Sequence, residues 1–308
     1  MVTIAVAGGT GNVGRTLVEA LKESPKHNVI VLARKAPDIE DAATPVIVVS
    51  YSGIDNLVKI LEDHNVHTVV SAMMVLSPDA SNAQVNLIQA AAKSASTQRF
   101  VTSEWGARYP PSNPGSQPEF RELAVNELRQ TDLEWTRFRN GYFLDYYGMP
   151  HVKSHMTPLD FVIDMVNKTA AIPGTGDEPM TFTYTYDLAK FFVAALDLQN
   201  WDEETFCYSD KTTWNEFLKL AEESRGEKFS IVYDDIQKLR KGEITELPSH
   251  PAAYPFFPKP ALQGLLAKLE TYVVEGYFDI PVANSLNQKF PDISTTKVKD
   301  MVSLWKGI

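Results

Sequence analysis

The segment "AVAGGTGNVGRTL" (Ala5–Leu17) decides the fold, because it passes from an apolar run through closely spaced glycines into a helical pattern. Gly9, Gly11 and Gly14 satisfy the spacing G-x-G-x-x-G, and Gly8 begins an overlapping G-x-x-G-x-x-G. Both spacings allow a tight turn after a strand, close approach of the backbone to a pyrophosphate, and close packing of helix on strand. The segment therefore predicts a dinucleotide-binding loop.

The first half of the chain alternates short β-branched runs with helical patterns. The runs are "TIAVAG", "NVIVLA", "TPVIVVS", "HTVVSAM", "RFVTS" and "LEWTRFR". This rhythm is typical of an α/β fold, a Rossmann-type doubly wound parallel sheet with helices on both faces. The rhythm breaks after Asn140, where two short strands are predicted around the Pro/Gly turn of "KTAAIPGTGDEPMTFTYT". A proline-rich final third indicates a capping lobe.

Composition narrows the class of protein. A formal net charge of −10 argues against nucleic acid as a partner, since phosphate binding needs a basic face. The longest apolar stretch, Val69–Leu76, is too short to span a membrane. The first predicted strand begins at the N-terminus, without a basic flank before it. The single cysteine, Cys207, is consistent with a reducing compartment, and we expect it to be a small residue of the core. These features predict a cytoplasmic protein without a membrane partner.

Two basic residues follow the second predicted strand. A carboxylate at this point would hold the ribose of NAD, but Arg34 and Lys35 stand there instead. Cations at this position suit the 2′-phosphate of NADP. A solvated pair on a loop is the alternative. The pattern favours NADP(H) as the cofactor.

With these residues placed, the chain resembles the NmrA-like and isoflavone-reductase-like group of atypical short-chain dehydrogenases/reductases. The resemblance rests on "GGTGNVG" (8–14), "VLARKAP" (31–37), "RFVTSEWG" (99–106), "DLEWTRFRNGYF" (132–143) and "TYDLAKFFVAAL" (185–196). It implies an NADP-binding Rossmann domain over residues 1–150, rejoined by 185–212, with residues 151–308 forming most of a smaller substrate-binding lobe. The reductase branch of the group transfers hydride from NADPH to small oxygenated molecules, whereas its regulatory branch binds dinucleotide without known chemistry.

The resemblance also assigns roles to single residues. It places the pyrophosphate against Gly8, Thr10, Gly11, Asn12 and Val13, and the 2′-phosphate against Arg34 and Lys35. It implies that the path from adenine to nicotinamide is lined by Ser71, Ala72 and Met73. The resemblance also implies that Thr102, Ser103 and Asn140 lie near the nicotinamide.

One residue expected from the resemblance is missing. The plant reductases carry a catalytic lysine at the start of the helix after the "SE-aromatic-G" segment, but no lysine occurs here between Lys93 and Lys153. Arg121 is the nearest basic residue in that helix. Its pKa is too high to supply a proton near neutrality, although it can polarise an oxygen. A Tyr-x-x-x-Lys signature at Tyr186–Lys190 lies too late in the chain for the catalytic position, and Asp187 fits a helix N-cap there.

Other polar and aromatic residues fit a substrate pocket. Three phenols follow Asn140, and either core packing or contact with substrate suits them; they are Tyr142, Tyr146 and Tyr147. His155 is predicted to line the pocket rather than bind a metal with His151, because no third ligand lies near. Glu104 suits acid–base chemistry if burial raises its pKa, or a loop-capping or Arg108-pairing role.

The sequence as a whole favours an NADPH-dependent reductase of a small oxygenated, aromatic or conjugated metabolite. We expect the hydride to be delivered near Ser103 and Asn140, and the proton to come from water or a tyrosine within 142–147. Arg121 would stabilise developing negative charge. The alternatives are an NADP(H)-binding regulatory protein with a protein partner, and an isomerase or dehydratase that keeps a bound nucleotide.

Overall fold

A computed structural model describes residues 2–36, 44–110 and 117–308; Pro37, the last residue of "VLARKAP", lies outside these ranges. The N-terminal half alternates strands and helices as its sequence predicts. Its elements are β1 (Val2–Ala7), α1 (Asn12–Glu23), β2 (His27–Ala33), β3 (Val46–Val48), α2 (Ile54–Asp63), β4 (Val66–Ser71), α3 (Pro78–Lys93), β5 (Arg99–Val101), α4 (Gln117–Leu128) and β6 (Glu134–Arg139).

The second half begins at β7 and is irregular. Its elements are β7 (Tyr142–Phe143), a 3-10 turn (Leu144–Tyr147), β8 (Ile163–Asp164), β9 (Thr169–Pro173), β10 (Met180–Thr183), α5 (Thr185–Leu196), β11 (Glu204–Phe206), β12 (Asp210–Thr212), α6 (Trp214–Arg225), β13 (Ser230–Asp234), α7 (Ile236–Arg240), a second 3-10 turn (His250–Ala253), α8 (Lys259–Val274), α9 (Leu286–Lys289) and α10 (Val298–Ser303).

Seven parallel strands form the central sheet in the order β11-β6-β5-β4-β1-β2-β3. Side chains alternate between its faces: Ile4 and Val6 pack with α1 and α5, while Ala5 and Ala7 pack with α2, α3 and α4. Burial on both faces explains why the strands are apolar throughout. The predicted Rossmann-type doubly wound sheet is confirmed.

The smaller lobe is built on two three-stranded sheets, β12-β10-β7 and β13-β9-β8. The strands predicted on either side of the Pro/Gly turn are present as β9 and β10, but each belongs to a different sheet. Their common core is rich in aromatic side chains, with Trp214 and Phe217 fully buried. The chain returns to the central sheet at β11, which pairs in parallel with β6.

Candidate functional site

Two glycines of the first loop are required by the packing of the protein itself. Gly8 follows β1 with φ +80°, and a Cβ there would lie 2.8 Å from the carbonyl oxygen of Ala72. A Cβ at Gly14 would lie 2.3 Å from the carbonyl oxygen of Gly8. The turn therefore folds tightly between the ends of β1 and β4, which positions the start of α1.

Gly11 has a different environment. It is the N-cap of α1 with an ordinary φ of −123°, and no side chain caps the helix. A Cβ there would meet no other atom within 4 Å. The described part of the protein therefore gives no packing reason for glycine at this position. Free N–H groups and open space at a helix N-terminus fit a phosphate.

A cavity of about 880 Å³ opens beside this loop, and we call it the dinucleotide cavity. It runs from the glycine turn, past the end of β2, to the N-terminus of α3. Of the predicted cofactor residues it brings together Gly8, Thr10, Gly11, Asn12, Arg34, Lys35, Ala72 and Met73. Arg34 and Lys35 are exposed at its rim. The residues present thus fit a dinucleotide with a negatively charged group at the β2 end.

The other four predicted cofactor residues are buried and lie outside this lining: Val13, Ser71, Thr102 and Asn140. The Ser71 carbonyl accepts a hydrogen bond from Trp105 Nε1 at 3.0 Å. The side-chain amide of Asn140 is buried, and within the described residues neither its oxygen nor its nitrogen has a hydrogen-bond partner. A buried amide without partners is costly, so this end of β6 fits a polar group of a bound molecule.

Ser103 and Glu104 follow the end of β5. The Ser103 hydroxyl donates to the carbonyl oxygen of Met73 at 2.5 Å, and its backbone N–H donates to Gln84 Oε1 at 2.9 Å. Ser103 does not line the dinucleotide cavity itself, but it supports the cavity wall through its hydrogen bond to Met73. Glu104 faces the opposite side and lines a second cavity.

The second cavity, of about 710 Å³, lies between the central sheet and the smaller lobe, and we call it the inter-lobe cavity. From β5, α4, β6 and β11 it takes Glu104, Arg108, Tyr109, Pro110, Arg121, Glu122, Arg137, Arg139 and Glu204; the smaller lobe contributes Glu275, Gly276, Tyr277, Asp279 and Pro281. The predicted residues Glu104, Arg108 and Arg121 thus share one cavity. Its lining combines ion pairs with two phenol rings.

An ion pair with Arg108, one of the alternatives predicted for Glu104, is not present. Glu104 Oε2 pairs with Arg139 Nη1 at 2.7 Å, whereas Arg108 Nη2 pairs with Glu204 Oε2 at 3.1 Å. The reason is that Arg139 projects from β6, the strand beside β5, and is as deeply buried as Glu104.

Sequence analysis missed Arg137, Arg139 and Glu204. A signal was present, because Arg137 and Arg139 stand two residues apart in the strand "EWTRFR". Two charges spaced by two residues lie on one face of a strand. Glu204 comes from β11, whose place beside β6 is set by tertiary structure.

Arg121 lies in α4 at the edge of the inter-lobe cavity. Its guanidinium carbon lies 5.1 Å from the centroid of the Tyr109 ring, a cation–π contact. Its Nε is buried and has no hydrogen-bond partner within the described residues. The side chain that replaces the expected lysine therefore faces the cavity between the lobes.

The three predicted phenols occupy different environments. Tyr147 is fully buried, and its hydroxyl donates to the carbonyl oxygen of Phe161 at 2.7 Å. Tyr142 stacks between Tyr146 and Phe161, with centroid distances of 5.5 and 4.8 Å. Burial raises the pKa of all three phenols above the usual value, so they stay protonated near neutral pH. Among the described residues, the Tyr142 and Tyr146 hydroxyls make no protein hydrogen bond.

His155 lies on the outer side of α1. Its Nε2 contacts Glu19 Oε1 at 2.7 Å, and Lys153 and Tyr186 also bind the Glu19 carboxylate, at 2.8 and 2.7 Å. Partial burial opposes ionisation of Glu19, but hydrogen bonds from Lys153, Tyr186 and His155 together lower its pKa to about 2. His155 lines neither of the two cavities described above.

His151 instead packs edge-on against Trp305. Among the residues that the structure describes, no group of three or more His, Cys, Asp or Glu could hold a metal ion.

The Tyr-x-x-x-Lys signature has structural partners. Tyr186 donates to Glu19, and Lys190 Nζ donates to Asp187 Oδ1 at 2.9 Å. The expected N-cap at Asp187 is wrong, because α5 begins after Tyr184 and Asp187 lies buried in its first turn. There the Asp187 carboxylate accepts from the Ser209 hydroxyl and the Thr296 N–H, which ties α5 to the smaller lobe.

Comparison with known proteins agrees with this geometry. The model of an NAD(P)H-binding family matches residues 8–158. A relative, oxidoreductase BOA1 of Botryotinia fuckeliana, is 36% identical over 300 residues, covering 95% of this chain and 96% of its own. Within the described ranges, the helices include none long and apolar enough to cross a membrane.

Solved structures share the fold. The complex of leucoanthocyanidin reductase from Vitis vinifera with NADPH has a TM-score of 0.75 at 18% identity, covering 98% of both chains. Isoflavone reductase has a TM-score of 0.71 at 18% identity, covering 97% of this chain and 98% of its own. The predicted nicotinamide dinucleotide cofactor is confirmed, the predicted resemblance to isoflavone reductases is confirmed in the fold, and the chain belongs to an NAD(P)H-binding family of which oxidoreductase BOA1 is a member.

Proposed function

We propose that the protein is an NADPH-dependent reductase of a small oxygenated molecule that is aromatic or conjugated. The observation that carries the proposal is the arrangement of two cavities on either side of the Ser103–Glu104 turn. One cavity fits a dinucleotide, and the other is large enough for a small molecule and has Tyr109 and Tyr277 in its lining. The relative's name, an oxidoreductase, and the solved reductases of the same fold support this class of activity.

The dinucleotide is held in this proposal by the glycine loop and the N-terminus of α1, with Val13 buried beneath them. Arg34 and Lys35 bind the 2′-phosphate, which makes NADP(H) the preferred cofactor. Ala72 and Met73 form the wall towards the nicotinamide, with Ser71 and Thr102 buried outside the cavity lining. The amide of Asn140, which has no hydrogen-bond partner among the described residues, binds a polar group there. When bound, NADPH supplies the hydride.

The chain supplies charge and a proton to the substrate. Arg121 places a cation next to substrate oxygens in the inter-lobe cavity, and a cation in a partly desolvated site stabilises negative charge on oxygen. We assign the proton to the Tyr142 hydroxyl, because this phenol packs beside Tyr146 and Phe161 and makes no hydrogen bond within the described residues. Ser103 positions the Met73 wall through its 2.5 Å hydrogen bond. Glu104, Arg108 and Tyr146 contribute to substrate binding.

The missing lysine favours a second candidate function, that of a regulatory protein. The chain has no lysine between Lys93 and Lys153, so the proton-transfer group of the reductase branch is absent. A protein that binds NADP(H) and regulates a partner protein would not need that group.

Turnover separates the two functions. The protein is incubated with NADPH and a panel of aromatic ketones, enones and lactols, and the loss of absorbance at the nicotinamide band is followed together with product formation. The reductase proposal expects turnover with at least one member of the panel. Tight NADPH binding without reduction of any member, together with a stable protein partner in a pulldown, would support the regulatory function instead.

A further inference from the structure

Most charged side chains of the inter-lobe cavity pair with one another. Glu204 Oε1 lies 3.2 Å from Arg139 Nε and 3.6 Å from Arg137 Nε, and Glu204 Oε2 pairs with Arg108 at 3.1 Å. Glu104 pairs with Arg139, and Glu122 Oε2 lies 3.7 Å from Arg137 Nη1. Three carboxylates thus face three guanidinium groups, and the charge of this set is balanced.

The carboxylates of the smaller lobe are also compensated. Glu275 Oε1 pairs with Arg240 Nη2 at 3.0 Å, and Asp279 Oδ1 pairs with Lys211 Nζ at 2.6 Å. Neither of these two carboxylates therefore remains to balance another cation in the cavity.

Arg121 is the cation left over. None of the ion pairs among the described residues includes Arg121, and its guanidinium faces the Tyr109 ring, with its Nε buried and unpartnered. The six residues 111–116, which the structure does not describe, are "PSNPGS" and carry no charged side chain. A half-buried cation with unused donors is stabilised by an anion.

We propose that the inter-lobe cavity recognises a carboxylate group of its substrate, with Arg121 as the counter-charge. This inference rests on the proposed function and names its substrate class: an aromatic or conjugated carboxylic acid. The planar guanidinium can donate two parallel hydrogen bonds to a carboxylate. Tyr109 holds the guanidinium from one face, and Tyr277 adds a second phenol ring to the lining of the cavity.

A cationic ligand fits the cavity less well. Among the described residues that line this cavity, two buried carboxylate oxygens have no hydrogen bond, Glu104 Oε1 and Glu122 Oε2. Each of them lies 3.7 Å from Arg137 Nη1 and is therefore compensated by a nearby charge. An amine placed there would compete with Arg137, whereas a carboxylate at Arg121 competes with no other anion.

The test measures binding of matched compounds to the NADP⁺-loaded protein by isothermal titration calorimetry. The probes are cinnamate, cinnamamide and cinnamylamine, together with benzoate, benzamide and benzylamine, which differ mainly in the charged group. We expect the wild-type protein to bind the carboxylates more tightly than the amides by roughly 10- to 100-fold. R121Q should abolish this preference, and R121K should keep part of it because a cation remains.

Arg129→Gln is the matched control, because Arg129 follows the same helix but pairs with Glu203 outside the cavity. It should keep the full preference for carboxylates, and every variant should keep its NADPH affinity and melting temperature. If R121Q does not fold, an unreduced preference in R121K overturns the inference. Equal binding of acid and amide by the wild type, a preference that survives R121Q, tighter binding of the amines, or binding of none of the probes would also overturn it.

The outcomes separate this inference from the proposed function. A carboxylate preference that depends on Arg121, without reduction of any carbonyl compound, supports the inference and removes the reductase activity. Equal kcat/KM for neutral and carboxylated ketones supports the reductase and overturns the inference.

Discussion

Ser103 and Glu104 are neighbours in the chain, yet Ser103 supports the wall of the dinucleotide cavity whereas Glu104 lines the inter-lobe cavity. The Ser103 hydroxyl donates to Met73, in the wall of the dinucleotide cavity, at 2.5 Å. The Glu104 carboxylate pairs with Arg139 in the inter-lobe cavity at 2.7 Å. Ser103 lies in a bend in which the Glu104 N–H donates to the Thr102 carbonyl oxygen at 2.9 Å. This single turn after β5 therefore supports the wall of one cavity and lines the other.

Two glycines of the first loop should respond differently to alanine. Gly11→Ala places its methyl group in open space, so we expect the free energy of unfolding to fall by less than about 1 kcal/mol while NADPH binding weakens strongly. Gly14→Ala places a methyl group 2.3 Å from the Gly8 carbonyl and should cost about 1–3 kcal/mol by overpacking. Urea unfolding and NADPH fluorescence titration measure the two effects; an unchanged NADPH affinity in Gly11→Ala contradicts the prediction.

Removal of the Arg34 charge should weaken the binding of NADPH but not that of NADH. Arg34→Ala is expected to weaken NADPH binding by roughly 10- to 100-fold, because charge-assisted hydrogen bonds to the 2′-phosphate are lost. NADH binding should hardly change. Fluorescence titration with both cofactors tests this. Lys59→Ala is the control, because Lys59 forms an exposed ion pair with Asp63 on the outer face of α2. Equal losses for NADPH and NADH rule out the 2′-phosphate contact.

Removal of the Tyr147 hydroxyl should lower stability, whereas removal of the Tyr142 hydroxyl should lower activity. Tyr147→Phe removes the hydrogen bond to the buried Phe161 carbonyl and should lower the free energy of unfolding by about 1–2 kcal/mol. Tyr142→Phe should keep stability, because no protein hydrogen bond is lost within the described residues, but should lower kcat by about 100-fold if this phenol is the proton donor. Unfolding curves and steady-state kinetics of both variants give the answer; full activity of Tyr142→Phe excludes it as the donor.

The Glu19 contacts should stabilise the protein in a defined pH range. Hydrogen bonds from Lys153, Tyr186 and His155 outweigh the effect of partial burial and lower the pKa of Glu19 to about 2. A depressed folded-state pKa stabilises the protein above the unfolded carboxyl pKa, and this contribution is lost as the pH falls towards 2. Glu19→Gln should therefore cost about 1–2 kcal/mol at pH 7 after solvent screening. Urea unfolding should show the cost shrinking below about pH 4.5, with Glu23→Gln as control because Glu23 is exposed at the end of α1.

Glu270 should give the opposite pH dependence. This carboxyl is buried in α8, and burial, together with the nearby Asp234, raises its pKa well above the usual value. A raised carboxyl pKa favours the folded state below the unfolded pKa, and that advantage is lost as the pH rises through the folded-state pKa. Glu270→Gln should therefore gain stability relative to wild type as the pH rises from 4 to 8. If the difference in the free energy of unfolding between variant and wild type stayed constant across that range, the pKa of Glu270 would be the same in the folded and unfolded states, which contradicts the prediction.

Local sequence features predicted the dinucleotide cavity well. Glycine spacing, strand burial and the basic pair after β2 are all read within a few residues, and the structure brings eight of the predicted cofactor residues into one cavity. The inter-lobe cavity was less predictable, because its charges come from segments far apart in sequence. Arg139 and Glu204 lie 65 positions apart and meet only because β11 pairs with β6.

The aromatic segment after Asn140 shows a second limit of sequence reasoning. Tyr142, Tyr146 and Tyr147 are the same residue type, but Tyr142 lies in β7 whereas Tyr146 and Tyr147 lie in the 3-10 turn at Leu144–Tyr147. Only Tyr147 finds a carbonyl partner among the described residues. Such an outcome depends on side chains of the smaller lobe, which a local pattern does not contain.

The return of the chain to the central sheet has a consequence for dissecting the protein. A fragment that stopped at residue 150 would lack both β11 and α5. Strand β6 would become an open edge with unpaired N–H and C=O groups, and the apolar face covered by Leu188 and Phe192 would meet water. Such a fragment should aggregate rather than fold, so the nucleotide-binding half needs the later segment 185–206 to be stable on its own.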